Sequence, residues 1–118
     1  MSLDVQQASL CIERIVSRDF AAEERTLVQN ILAKYGTKPH HVERDRVRLC
    51  VLKLARGDLR KLERQITVAS TDFRDVVGAA EYPRQLSVGF SGFDRMNAAE
   101  RALIEEDDRQ QYSDWLDR

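Results

Sequence analysis

The strongest constraint in this chain is a stripe of apolar residues between Leu59 and Ala80. Leu59, Leu62, Ile66, Ala69, Phe73, Val76 and Ala80 follow one another at alternating steps of three and four. That spacing keeps one face of an α-helix apolar over three heptads, so the segment has to lie against other helices. Val77 widens the stripe. Asp58 precedes it and is placed to cap it, because a carboxylate there accepts from a free amide of the first turn. Pro83 closes it, since proline lacks the N–H and restricts the residue before it. A continuous helix here would be about 33 Å long at ~1.5 Å per residue. Gly78 and the run Ser70-Thr71-Asp72 are poor helix interiors, so a break near residue 70 is the alternative.

A second amphipathic segment stands just before the stripe. Val47, Cys50, Val51 and Leu54 share one helical face, and Leu49 and Leu52 broaden it. This helix is expected to begin after Pro39 and to end at Gly57, the residue type that favours the left-handed position past a helix C-terminus. Asp58 opens the next helix at once, so the pair reads as an antiparallel helical hairpin with a very short turn. The run from Arg46 to Leu62, with Asp72-Phe73-Arg74-Asp75-Val76-Val77 and Ala80-Glu81-Tyr82-Pro83 after it, resembles a group of short uncharacterised bacterial proteins. Their shared pattern is KLxxG(D/N)L…D(Y/F)RDV…AEYP. The resemblance covers about a third of the chain. It implies a bacterial source and brings no activity and no functional residues with it.

The remaining segments extend the helical pattern. Residues 3–17 predict a first helix with Leu3, Ala8, Cys11, Ile12 and Ile15 inward. Ser17-Arg18-Asp19 interrupts it, and Asp19 is expected to cap the next helix, whose opening turn carries Glu23 and Glu24 at the positive end of the dipole. Leu27, Val28, Ile31, Leu32 and Tyr35 form its stripe, Gly36 ends it, and Thr37-Lys38-Pro39 is a turn. Four helices with short connections predict an all-α fold, an up-and-down helical bundle. Ile31, Leu32, Val51, Leu54, Leu62, Ile66 and Phe73 lead its expected core.

After Pro83 the style of the sequence changes. Residues 84–96 hold two glycines and two serines, yet also Leu86, Val88, Phe90, Phe93 and Met96. They are expected as an irregular apolar strap along the bundle. Asn97 with Glu100 is a capping box that starts a last helix at Ala98, with Ala99, Ala102 and Leu103 as its inner face. Four acids in succession from Glu105 follow, and Tyr112, Trp115 and Leu116 then return at helical spacing. This end is either a helix leaving the bundle or a frayed tail. Residues 1–83 thus read as the bundle core and 84–118 as a strap and acidic helix within the same single domain, as 118 residues allow.

Composition narrows the function classes. Charged residues make up 33% and apolar residues 42%, a balance for a folded chain rather than a disordered one. No apolar run approaches the ~18 residues a membrane span needs. No basic-then-apolar leader is visible, so the expected location is the cytoplasm. Cys11 and Cys50 fall on apolar faces and read as buried thiols. His41 and Asp45 could share a helical face, but a metal site usually takes three or four ligands. Asp72, Asp75 and Glu81 lie beside the long stripe, where pairing with Arg74 or a neighbouring helix is their plain role. No Ser-His-Asp or Cys-His pattern and no glycine-rich phosphate loop is present. Arg56-Gly57-Asp58 spells an integrin-binding tripeptide, but the helix junction already explains both Gly57 and Asp58. The expectation is a non-enzyme with no catalytic residues, no metal and no cofactor.

Two interaction readings remain. Residues 44–64 carry eight Lys/Arg against three acids, and residues 94–118 carry eight acids against four arginines. The first reading is a protein-interaction or regulatory module that docks a helix face on another protein or on a second copy. Phe90, Phe93, Tyr112, Trp115 and Leu116 are its expected anchors, since aromatic residues dominate interface energies. The alternative is a nucleic-acid-binding regulator that contacts phosphates through Arg46, Arg48, Lys53, Arg60 and Lys61. A helix-turn-helix geometry is disfavoured. Lys53 stands where the turn needs a small residue, Glu63 falls on a packing position, and the second helix runs on too long. The net charge of −1 gives no overall pull toward nucleic acid or an anionic membrane.

Overall fold

Helix α3 (Arg44–Ala55) is the axle of the molecule. Six of its twelve residues, Val47, Leu49, Cys50, Val51, Leu52 and Ala55, are buried. A helix this apolar around its circumference needs neighbours on several sides. It finds them in α1 (Val5–Asp19), α4 (Leu59–Thr71) and α5 (Phe73–Glu81). A short 3-10 turn (Ala22–Glu24) and α2 (Arg25–Leu32) complete this layer, and α6 (Pro83–Arg95) and α7 (Ala98–Asp117) form a second hairpin beside it. This computed structural model describes residues 5–118. Among them are seven α-helices and no strand. The all-α expectation holds, with seven helices in place of about four. Leu3, expected on the first helix, lies outside the described residues.

The long stripe is not one helix. It breaks at Asp72, whose backbone is extended (φ −151°, ψ 103°) and whose carboxylate accepts from the Arg74 amide at 3.0 Å to start α5. Just before the break, the Ser70 and Thr71 hydroxyls bond back to the carbonyls of Ile66 and Thr67. Such bonds compete with the helix ladder. The break folds the second half of the stripe onto both α3 and α4, so Leu62, Ile66, Ala69, Val76, Val77 and Ala80 are all buried. Asp58 caps α4 as expected, accepting from the Lys61 amide at 3.0 Å. The turn before it is tight: Arg56 and Gly57 both have positive φ, and a Cβ on Gly57 would sit 2.8 Å from the Asp19 carbonyl oxygen.

Several local expectations are corrected. Helix α3 starts at Arg44 rather than after Pro39, because His41 pulls the preceding loop into a turn. Its Nδ1 accepts from the amides of Gly36, Thr37 and Lys38, while the Tyr35 hydroxyl donates to the Val42 carbonyl. Asp19 pairs with Arg18 instead of capping the second helix. Leu27 is 48% exposed, and Leu54 and Phe73 are half-buried at the edge of the core. Pro83 does close the stripe, α5 ending at Glu81, but it also begins α6, where a missing N–H leaves no bond unmade.

Residues 84–95 are helical, with Met96 as the extended residue after them, rather than an irregular strap over 84–96. Gly89 (φ 77°, ψ 166°) breaks the helix in two, which is how its glycine content is accommodated. The Asn97 side chain caps α7 by accepting from the Glu100 amide at 2.9 Å. Its inner face is Ile104, Asp108 and Trp115, whereas Ala99, Ala102 and Leu103 point to solvent. Among the described residues no helix is long and apolar enough to cross a membrane.

Candidate functional site

The α6–α7 hairpin carries the most exposed apolar surface. None of the thirteen residues of α6 is buried. Leu86 is 57% exposed, Phe90 92% and, on α7, Leu103 66%. Val88, Phe93 and Met96 are half-exposed. Leu86 touches the layer below, its side chain lying over Gly78; a Cβ there would come within 3.1 Å of it.

Helix α7 holds the start of α6 by polar bonds. The Asp108 carboxylate, 1% exposed, accepts from the amides of Arg84 (2.9 Å) and Gln85 (3.1 Å). These are the unpaired donors of α6's first turn, so the cap comes from a residue 24 positions away. Gln111 Nε2 donates to the Ala80 carbonyl at 3.1 Å and clasps the end of α5 in the same way. An Arg84–Asp107 ion pair flanks this latch.

The expected aromatic anchors divide. Phe90 stands in solvent and Phe93 is half-exposed. Trp115 is 6% exposed and belongs to the core, with Tyr112 and Leu116 packed half-buried against it. Arg18 lies 5.4 Å over the Trp115 ring and donates to the Trp115 carbonyl at 2.7 Å, and Arg14 donates to that of Leu116. The expectation that these three anchors face a partner is therefore corrected. The C-terminal helix stays on the bundle, because its aromatic face has the end of α1 to cover.

The basic residues do not form one phosphate-tracking face either. Arg46 donates to both Glu81 oxygens at 2.8 Å and also pairs with Glu43. Arg48 donates to the Tyr35 carbonyl at 2.7 and 3.1 Å, and Lys53 is half-buried. Of the five, Arg60 and Lys61 on α4 are exposed. A local excess of positive charge in sequence is thus split between interior ties and surface.

Around Arg46 lies a partly buried polar cluster. The Cys50 thiol approaches Glu81 Oε2 at 3.4 Å, and Arg46 reaches the Tyr82 hydroxyl at 3.4 Å. Burial alone would raise the Glu81 carboxyl, but the Arg46 guanidinium outweighs it and holds Glu81 below the ordinary glutamate range. Burial pushes the Cys50 thiol and the Tyr112 phenol well up, with the Glu81 charge adding to both. A thiol kept protonated is a weak nucleophile, and the Arg46–Glu81 and Cys50–Glu81 contacts tie α3 to α5. Among the described residues no group of three or more His, Cys, Asp or Glu side chains is placed to hold a metal ion. A shallow depression of about 450 Å³ at the α4–α5 break is lined by His40, Ser70, Thr71, Asp72 and Arg74. There His40 contacts the Ser70 carbonyl and Asp72 is committed to Arg74.

In comparisons with known proteins, no family model, no curated protein and no solved structure matches the chain.

Proposed function

We propose that the chain is a bacterial cytoplasmic protein-interaction module that docks through the α6–α7 hairpin, and that its partner is a second copy of itself. The observation that carries this reading is the thirteen-residue α6, which holds Leu86, Val88, Phe90 and Phe93 and buries no residue at all. Covering a phenylalanine that is 92% exposed would stabilise an assembly by about 2 kcal/mol. The exposed apolar residues are concentrated: Tyr82, Leu86, Phe90 and Leu103 share the hairpin, while Leu10, Leu27 and Val42 are scattered over other elements. An isologous pair needs only one such patch, because the same surface serves both partners. The hairpin also carries both signs of charge, Arg84, Arg95, Arg101 and Arg109 among its acids, so two hairpins can meet without uniform repulsion.

Light scattering coupled to size-exclusion chromatography tests it. The full chain is expected to run as a dimer. The double variant Phe90→Ser, Leu103→Ser is expected to run as a monomer with unchanged circular dichroism, since neither side chain supports the fold of the protomer. A full chain that stays monomeric up to high micromolar concentration, or a variant that remains dimeric, overturns the reading.

A further inference from the structure

We infer that the cleft between α1, the α3–α4 turn and α7 is a binding site for a small organic phosphate. The inference does not rest on the docking surface, whose exposed Leu86, Phe90 and Leu103 are not among the residues lining the cleft. The cleft has a volume of about 650 Å³ and is lined by Arg18, Lys53, Arg56, Gln111, Trp115 and Arg118, with Asp19 and Gly57 at its edge. Four cations therefore meet one carboxylate. That carboxylate is committed, since Asp19 accepts from Arg18 at 2.7 Å.

Among the described residues, Lys53, Arg56 and Arg118 make no ion pair and no side-chain hydrogen bond, although many other arginines of the chain do. The one carboxylate acting on Lys53 is that of Asp108, and its oxygens are held by the α6 amides. Lys53 is half-buried, and both Arg56 and Arg118 push against its charge. A partly desolvated ammonium facing two guanidinium groups is unfavourable until an anion enters. Such an arrangement is ready-made for one: Lys53 acts as a point charge, Arg56 offers a forked pair of donors, and Arg18 is already braced by Asp19 and by the Trp115 carbonyl.

The shape favours a small molecule over a nucleic-acid backbone. Arg18 and Lys53 are half-buried where three elements meet, with Arg56 and Arg118 at the exposed rim, and the Arg60 and Lys61 that a strand would also need lie outside the cleft. The volume falls within the range of small-ligand pockets and exceeds what a lone phosphate fills. The remaining space runs along Gln111 and Trp115 on α7, where the organic part of the ligand would lie.

Thermal unfolding of the full chain in inorganic phosphate, in ribose 5-phosphate and in sodium chloride at matched ionic strength tests the assignment. Both phosphates are expected to raise Tm saturably above the chloride control, ribose 5-phosphate at the lower concentration. Lys53→Met keeps the apolar stem and removes the charge. It is expected to be more stable than the unaltered protein in chloride and to lose the phosphate response. Arg56→Asn suits the left-handed backbone at that position (φ 50°) and is expected to weaken binding by about tenfold. Arg64→Ala, on the exposed side of α4, is expected to respond like the unaltered protein. A phosphate effect no larger than that of chloride, or equal responses in Lys53→Met and Arg64→Ala, overturns the site. Equal affinity for the two phosphates overturns its assignment to an organic ligand.

Discussion

Helices α3 and α6 differ by one residue in length and are held in opposite ways. Helix α3 buries half of its residues and is fixed by packing along its whole length. Helix α6 buries none and is fixed from its start, by Asp108 on its first amides and by its short link to α5. Packing of the first kind is insensitive to any single polar group. Anchoring of the second kind puts much of a helix's order on one carboxylate.

The contrast can be broken at three points. The largest effect should come from Trp115→Ala, which removes the side chain that joins α7 to the core. A loss of about 3–4 kcal/mol in denaturant unfolding is expected. A loss below about 1 kcal/mol would mean that α7 is peripheral and that the two hairpins are independent. Next comes Asp108→Ala, expected to cost about 2 kcal/mol by leaving two amides of α6 unpaired. Its more telling readout is hydrogen exchange. The amides of α6 should lose protection while those of α3 keep theirs; a uniform change along the chain would mean that the two helices are held alike.

The smallest effect is that of acid on Glu81. Its folded carboxyl lies below the ordinary value, so the stability it adds is complete above the ordinary glutamate range and is lost as pH falls through the depressed folded value. Because Arg46 is 39% exposed, screening limits the loss to about 1 kcal/mol. Stability of Glu81→Gln should be nearly flat over that interval; a variant that follows the same pH curve as the unaltered protein would assign the acid sensitivity elsewhere.

What could be read from the sequence follows the range of each interaction. Asp58 and Asn97 were legible as caps because each bonds an amide three residues ahead. The inward faces of α3 to α5 were legible because apolar period reports burial whichever helix provides the cover. Asp108 was not, since among four consecutive acids nothing local separates the one that caps a helix 24 residues away. Arg46 looked like a surface cation because Glu81 stands 35 residues off. Trp115 looked like an interface anchor because the surface it covers, at the end of α1, is almost a full chain length away. Pro83 was read by its power to end a helix, and the same missing N–H makes it a good beginning. The cleft was hidden for a related reason: Lys53 and Arg56 were visible as charge, but their lack of partners is a property of α1 and α7 meeting there.

The distant cap on α6 also has a consequence for the order of events during synthesis. Chains emerge from the ribosome N-terminus first, and segments organise as they appear. Residues 83–95 leave before the carboxylate that completes their first turn exists, so in the nascent chain their apolar side chains have neither a finished helix nor a cover. Helix α6 is thus a late-forming segment whose vulnerable interval ends when α7 swings onto the bundle and brings Asp108 to it.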